Sequence, residues 1–337
     1  SSDVCSSDLV ELFGSTRRFE ANANRMVEQV ERHWLLQSMG MADARALLKS
    51  RQLDILVETS GFTADTGIAL LADRCAPVQC HYIGYHASTG LDTIDWFIGD
   101  AETVPESFAP QYVEGLWRLP RPWLARRPME SLLPAASSSS DPVAVLGSFN
   151  QFSKLREETL AHWAAALRAV PASRLVMKDR STADPEICER IRRTLMGHGV
   201  APERISFLGY VGGMEEHLAL YNSLDVALDA TPWSSATTGF DALEMGVPLV
   251  AIRGGCTAAR MSASLVRGAG HPEWIAESEE QFGAIVQSLC ADLPALRQGK
   301  GALRRQVQAS PLFDPADLCR ALEEAFTAMA AGEASPP

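Results

Sequence analysis

The sequence predicts an α/β protein built from two doubly wound, mostly parallel sheets, and three observations carry that prediction. Helical patterns alternate with short β-rich runs from Val10 to about Leu124. The alternation then breaks over 126–141 in RRPMESLLPAASSSSD, where prolines and four consecutive serines offer nothing to pack a core. It resumes over 142–310 as a second, independent series. A chain of 337 residues, 46% hydrophobic and 21% charged, is long enough for two such domains.

Taken in order, the opening nine residues, SSDVCSSDL, repeat SSD around a Val-Cys pair without core periodicity and read as a non-native segment. The first domain, 10–125, shows a helical pattern in ANANRMVEQVERHWLL and then β-rich runs in LDILVETSG, APVQCHYIGY and TIDWFIGD. The second domain opens on the strand VAVLGSFN and the amphipathic helix LREETLAHWAAALRAV. Then come RLVMK, ICERIRRTLMGHG, RISFLGYV, HLALYNSLDVALDA, TTGFDALEMG and PLVAIRG. The last stretch, 311–337, carries the amphipathic helix ADLCRALEEAFTAMA and a polar tail.

A net charge of -12 argues against a nucleic-acid partner or an anionic membrane surface, so any anion site must be local. The seven cysteines are scattered, odd in number and never spaced C-x-x-C, unlike a disulfide framework or a zinc site. No apolar stretch reaches the length of a membrane span, and the start lacks the regions of a secretory signal. A cytoplasmic setting is expected.

Candidate chemistry collects at strand ends, where open α/β sheets bind ligands. The motif GSFNQFSK places Asn150, Gln151 and Lys154 just past one predicted strand, with Lys154 suited to a phosphate. A solvated surface lysine is the plainer alternative. In ALDATPWSSATTGFDALEMG a strand ends at Asp229, small residues follow, and a helix starts near Thr238. Its free N–H groups and positive partial charge suit a diphosphate. The same residues also allow a capping box, in which Thr238 caps the helix and Asp241 closes it without any ligand. His217, near the start of a helix in GGMEEHLALYNSLDVAL, is either part of this group or a half-buried surface residue.

Together these segments resemble the O-GlcNAc transferase and SPINDLY-like protein glycosyltransferases, from about Phe19 to Ala328. Phe149-Asn150-Gln151 with Lys154, Glu215-Glu216-His217 before Leu224-Asp225-Val226, and Thr237-Thr238-Gly239 with Asp241 are similar to the family's motifs in order and spacing. Ile83-Gly84-Tyr85-His86-Ala87-Ser88-Thr89-Gly90 looks like its sugar-bordering loop, and Ser310-Pro311-Leu312-Phe313-Asp314 like its closing motif.

The resemblance implies the GT-B architecture, two Rossmann-like doubly wound domains facing a ligand cleft. It implies that Lys154 contacts the donor diphosphate catalytically and that Gln151 and His217 contact the nucleotide. Thr237 and Thr238 would hold the diphosphate through N–H groups, and Asp241 the ribose. Ile83, Gly84 and Trp233 would border the sugar. The family histidine before the paired threonines is Ala236 here, His86 replaces a proline and Trp233 a small residue, which bears on nucleoside and sugar choice.

The function so implied is transfer of a sugar, N-acetylglucosamine by resemblance, from a UDP-sugar to Ser/Thr hydroxyls of a protein or peptide acceptor, with inversion. No cofactor is expected, and with no Asp-x-Asp in the chain no metal clamp has obvious ligands. Asp54 and His86 are available as acceptor bases, although the family's acid/base motif, Asp-Phe-x-x-His, belongs before Phe13, where this sequence has none. On that ground the first domain is expected to lack its opening strand region. A UDP-glucose or non-protein-acceptor glycosyltransferase of the same fold, and a catalytically incomplete sugar-nucleotide-binding fragment, are the alternatives.

Overall fold

The computed structural model describes residues 10–14, 28, 30, 32–63, 66–134 and 140–335. Two compact units result: one from the described residues up to Ile98, Ala109–Trp117 and those from Glu324, the other from Gly99–Phe108 and Arg118–Glu323.

In the first unit, β1 (Glu11–Gly14) pairs in parallel with β2 (Arg32–Leu35). After α1 (Met41–Ser50), β3 (Ile55–Glu58), β4 (Val78–Tyr82), β5 (Trp96–Asp100) and β6 (Gly115–Leu119) lie side by side in that order. Ala44 and Leu48, one helical turn apart on α1, pack with Leu56 and Ile94 in the core of this unit.

The helical expectation for ANANRMVEQVERHWLL fails where the run is described, since Arg32–Leu35 is a strand. Tertiary pairing overrides the periodicity. Trp34 Nε1 donates to Glu11 Oε2 at 3.0 Å, and Arg51 Nε donates to the same oxygen at 2.9 Å, fixing this short parallel pair. Nearly all the rest of that run, the opening nine residues and Ser137–Ser139 lie outside the described residues.

The second unit runs β7 (Ala144–Ser148), α2 (Glu157–Ala169), β8 (Ser173–Lys178), α3 (Pro185–Gly197), β9 (Ile205–Leu208), α4 (Met214–Tyr221), β10 (Val226–Leu228), α5 (Thr237–Glu244) and β11 (Leu249–Ile252). It continues through α6 (Met261–Gly268), β12 (Ile275–Ala276), α7 (Glu279–Cys290), α8 (Leu293–Gln308) and α9 (Pro315–Ala330), whose end falls in the first unit. Its six strands order as β12-β11-β10-β7-β8-β9, all paired in parallel. Numbered within the unit, this is the order 6-5-4-1-2-3 of a doubly wound sheet, so the winding reverses between β7 and β10.

Alternation along the strands splits the core into two layers. Val145 and Ala227 join one apolar cluster with Leu224, Phe240 and Leu249, while Leu146, Val226 and Leu228 join the other with Trp163, Leu175 and Phe282. Strands buried on both faces read as continuous apolar runs, which is why VAVLG and PLVAI were legible.

Three contacts far apart in sequence complete this unit. Arg297 of α8 forms a bidentate pair with Asp225, 2.8 Å at each oxygen, and one of those oxygens also accepts Val145 N–H at 2.8 Å. Glu102 gathers Arg253, Arg260 and Arg267 at 2.5, 3.1 and 3.0 Å. Asp100 accepts the N–H of Trp123 at 2.9 Å, so 99–108 packs with the residues from 118 onward. Among the described residues, no helix is long and apolar enough to cross a membrane.

Candidate functional site

Because β7 and β10 flank the switch point, the loops leaving their C-terminal ends emerge side by side. After β7 the chain buries Phe149 and Asn150, exposes Gln151 and leaves Lys154 half-buried. After β10 it runs through buried Ser234 and Ser235 into α5, with Thr237 exposed and Thr238 half-buried. Thr238 Oγ1 donates to Asn150 Oδ1 at 3.0 Å, joining the two loops across the switch point. Lys154 Nζ meets the Ser234 carbonyl at 3.5 Å, a long contact for a group with three donors.

The loop before α5 is held from beneath. Asp229, fully buried, accepts the Ser235 N–H at 2.8 Å and the Ser262 hydroxyl. Burial raises its carboxyl above the usual 3.8 despite those bonds. Burial likewise lowers Lys154 below 10.5, and the Asp229 charge opposes that fall. A partly desolvated ammonium has strong reason to accept an anionic ligand.

The capping-box alternative is overturned. The N-cap of α5 is Ala236, with no side-chain capping bond, so the first-turn N–H groups of the helix lack a side-chain cap. Asp241 is engaged elsewhere. Its Oδ1 accepts Arg126 Nη1 at 2.7 Å, and its Oδ2 lies 3.3 Å from His217 Nε2. His217 Nδ1 lies 2.8 Å from Lys178 Nζ, at the end of β8. An ammonium donating to Nδ1 places the ring proton on Nε2, facing Asp241. Burial lowers Lys178 below 10.5, while Asp241 and Asp179 pull it back. Phe149 lies under this row, its ring 5.6 Å from Lys178 Nζ and 6.0 Å from the His217 ring.

The structure thus brings Lys154, His217, Thr238 and Asp241 onto one sheet edge, with Thr237 opening the helix beside them and Gln151 exposed beside Asn150. Trp233 is exposed on the same loop. Two contributors were missed. Lys178 was legible by the strand-end rule that selected Lys154, since it closes RLVMK. Arg126 had no such signal, because a charge in an Arg-Arg-Pro stretch of a linker reads as solvated.

Ile83 and Gly84 belong to the first unit. Ile83 holds φ +82°, a conformation that β-branched residues rarely adopt, and a Cβ at Gly84 would collide with the Thr59 carbonyl. The turn is pinned by His81, fully buried, whose Nε2 donates to the Tyr85 carbonyl at 2.9 Å and whose Nδ1 lies 2.7 Å from Glu58 Oε2. Glu58 also accepts the N–H groups of Ser60 and Gly61, each at 2.7 Å. Burial raises its carboxyl, but the His81 and N–H bonds outweigh that and leave it below 4.5. Asp54 is exposed just before β3, at the N-terminal rather than the ligand-binding edge of that strand. His86 is half-buried past the end of β4.

A sequence model described as glycosyl transferase family 41 matches residues 18–127 and 136–322. A rice protein named as a probable UDP-N-acetylglucosamine–peptide N-acetylglucosaminyltransferase SPINDLY is 34% identical over 286 residues, covering 84% of this chain and 31% of the relative. A tomato protein of the same description is 31% identical over 326 residues, covering 95% of this chain and 35% of the relative. The chain therefore spans about a third of the length of these relatives. Among solved structures, a mutant O-GlcNAc transferase of Thermobaculum terrenum superposes with a TM-score of 0.84 at 31% identity, covering 96% of this chain and 61% of that one. An Anabaena protein solved with UDP and glucose matches at a TM-score of 0.55 and 14% identity, covering 95% of this chain and 91% of that one, which shows the fold alone. These likenesses identify the fold as GT-B, with α/β halves carrying parallel sheets.

Proposed function

We propose, since this chain belongs to glycosyl transferase family 41, that it binds a UDP-sugar and transfers the sugar to serine and threonine hydroxyls of a protein or peptide acceptor. The observation that supports this best is the convergence of Lys154, the N-terminus of α5 and the Lys178–His217–Asp241 row at one switch point. The names of the relatives point to N-acetylglucosamine as the sugar.

In this reading, Lys154 and the N–H groups of Thr237 and Thr238 take the diphosphate, and Asp241 accepts the ribose hydroxyls. His217 and the exposed Gln151 face the rest of the nucleotide. The acceptor oxygen attacks the anomeric carbon from the face opposite the diphosphate. The bond from that carbon to the β-phosphate oxygen breaks, its electron pair stays on UDP, and the configuration inverts. The acceptor proton passes to a base; of the two candidates, His86 follows the C-terminal end of β4, whereas Asp54 precedes β3. Preformed positive groups around a departing anion are the largest electrostatic contribution to such a step. Lys154 and the helix start supply it without a metal ion, so metal-independent transfer is part of the proposal. The described cysteines that carry free thiols, Cys75 and Cys80 among them, fit a reducing compartment such as the cytoplasm.

The test is transfer of labelled N-acetylglucosamine from its UDP donor to serine- and threonine-containing peptides in EDTA, with the modified residue located by mass spectrometry. Transfer that reaches hydroxyl side chains supports the reading. Absence of both transfer and donor binding removes it.

A further inference from the structure

We propose that Arg126 is a positioning residue for nucleotide recognition, fixing the Asp241 carboxylate so that it can read the ribose. This inference rests on the reading above, in which Asp241 accepts the ribose hydroxyls.

Two carboxylates three residues apart on α5, Asp241 and Glu244, are 4% and 0% exposed and share one guanidinium. Nη1 of Arg126 donates to Asp241 Oδ1 at 2.7 Å, and Nη2 donates to Glu244 Oε2 at 2.5 Å. Glu244 is anchored in turn, since its Oε1 accepts the Met129 N–H at 2.6 Å. The guanidinium has little freedom: it lies 5.2 Å from the Phe240 ring and 5.8 Å from the Phe313 ring, and the Arg126 N–H donates to the Leu312 carbonyl at 3.0 Å. Asp241 is therefore gripped at Oδ1 by a residue fixed through Glu244 and approached at Oδ2 by His217. A rigid planar fork that gives one N–H to each of two carboxylates holds the two bonds at a set spacing and direction, which the freely rotating donors of an ammonium do not. A ribose hydroxyl pair is recognised by the direction of the acceptor as well as its charge, so loosening the fork should blunt discrimination before it harms phosphate binding.

The experiment measures calorimetric affinities for UDP, 2′-deoxy-UDP and inorganic pyrophosphate in wild type, Asp241→Asn, Arg126→Lys and the charge-balanced double variant Arg126→Gln/Glu244→Gln. The double variant leaves no buried Glu244 charge unpaired, and thermal melts confirm folding in each case. Wild type should prefer UDP over its deoxy analogue by about tenfold or more, and Asp241→Asn should lose most of that preference. The double variant should lose at least about fivefold of it, and Arg126→Lys an intermediate amount, while pyrophosphate affinity stays within about twofold in each. A full wild-type preference in both Arg126 variants, alongside its collapse in Asp241→Asn, overturns the role of Arg126 and leaves the ribose reading standing. An unchanged preference in Asp241→Asn overturns the ribose reading itself. If the double variant does not fold, Arg126→Lys decides between these outcomes.

Discussion

Arg126 and Asp241 stand 115 positions apart in the chain and meet at 2.7 Å, so a residue far away in sequence but within the same unit holds the first turns of the helix that opens the candidate donor site. This ion pair tethers α5 without capping any of its first-turn N–H groups. Asp241→Asn should lower the stability of the ligand-free protein by about 1–2 kcal/mol, because an ion pair becomes a bond from the guanidinium to a neutral amide oxygen. Denaturant melts check this, and an unchanged midpoint would show that the pair adds nothing to folding.

Lys154→Ala should reduce transfer by about a hundredfold or more, the usual loss when one donor to developing charge is removed. Stability should change by less than about 1 kcal/mol, since the lysine is half-buried and makes one long contact, to the Ser234 carbonyl. Near-normal turnover in this variant would place the diphosphate elsewhere.

The same lysine predicts an alkaline limit. Burial puts its folded-state value below 10.5, and only its protonated form attracts a diphosphate. UDP affinity should therefore hold at lower pH and decline as pH rises through that lowered value, with proton uptake on binding over the same range. Lys178 shifts in the same direction, so Lys154→Arg isolates the effect by moving the decline to higher pH. A decline at the same pH in Lys154→Arg would assign it to another group.

In the first unit the buried Glu58–His81 pair makes a separate prediction. Glu58 has a folded value below 4.5, so its contribution to stability is present above the unfolded value and is lost as pH falls through the folded one. Chemical denaturation at several acidic pH values should give wild type a steeper loss than Glu58→Gln. Replacing His81 with Ala should cost about 3–5 kcal/mol near neutral pH, as expected when one member of a buried pair is removed. Equal acid slopes in wild type and Glu58→Gln would mean that Glu58 does not drive the acid loss.

Much of this architecture was legible because doubly wound sheets impose simple rules. Strands buried on both faces read as apolar runs, and residues just past their ends, such as Asn150 and Lys154, fall where ligands bind. Pairings between distant positions were not legible. Nothing local marks Arg297 as the partner of Asp225 or Arg126 as the partner of Asp241, since surface arginines are the common case. The strand at Arg32–Leu35 was hidden for a related reason: its pairing with Glu11–Gly14 is tertiary, while the surrounding pattern has a helical period.

In the proposed function, a UDP-sugar binds at the switch point between β7 and β10 through Lys154 and the start of α5. Calorimetric titration with UDP-N-acetylglucosamine in EDTA, for wild type and Lys154→Ala side by side, tests it most directly. Saturable one-to-one binding should survive the chelator in wild type and weaken by at least about tenfold in Lys154→Ala. Binding that EDTA abolishes, or that Lys154→Ala leaves intact, would contradict it.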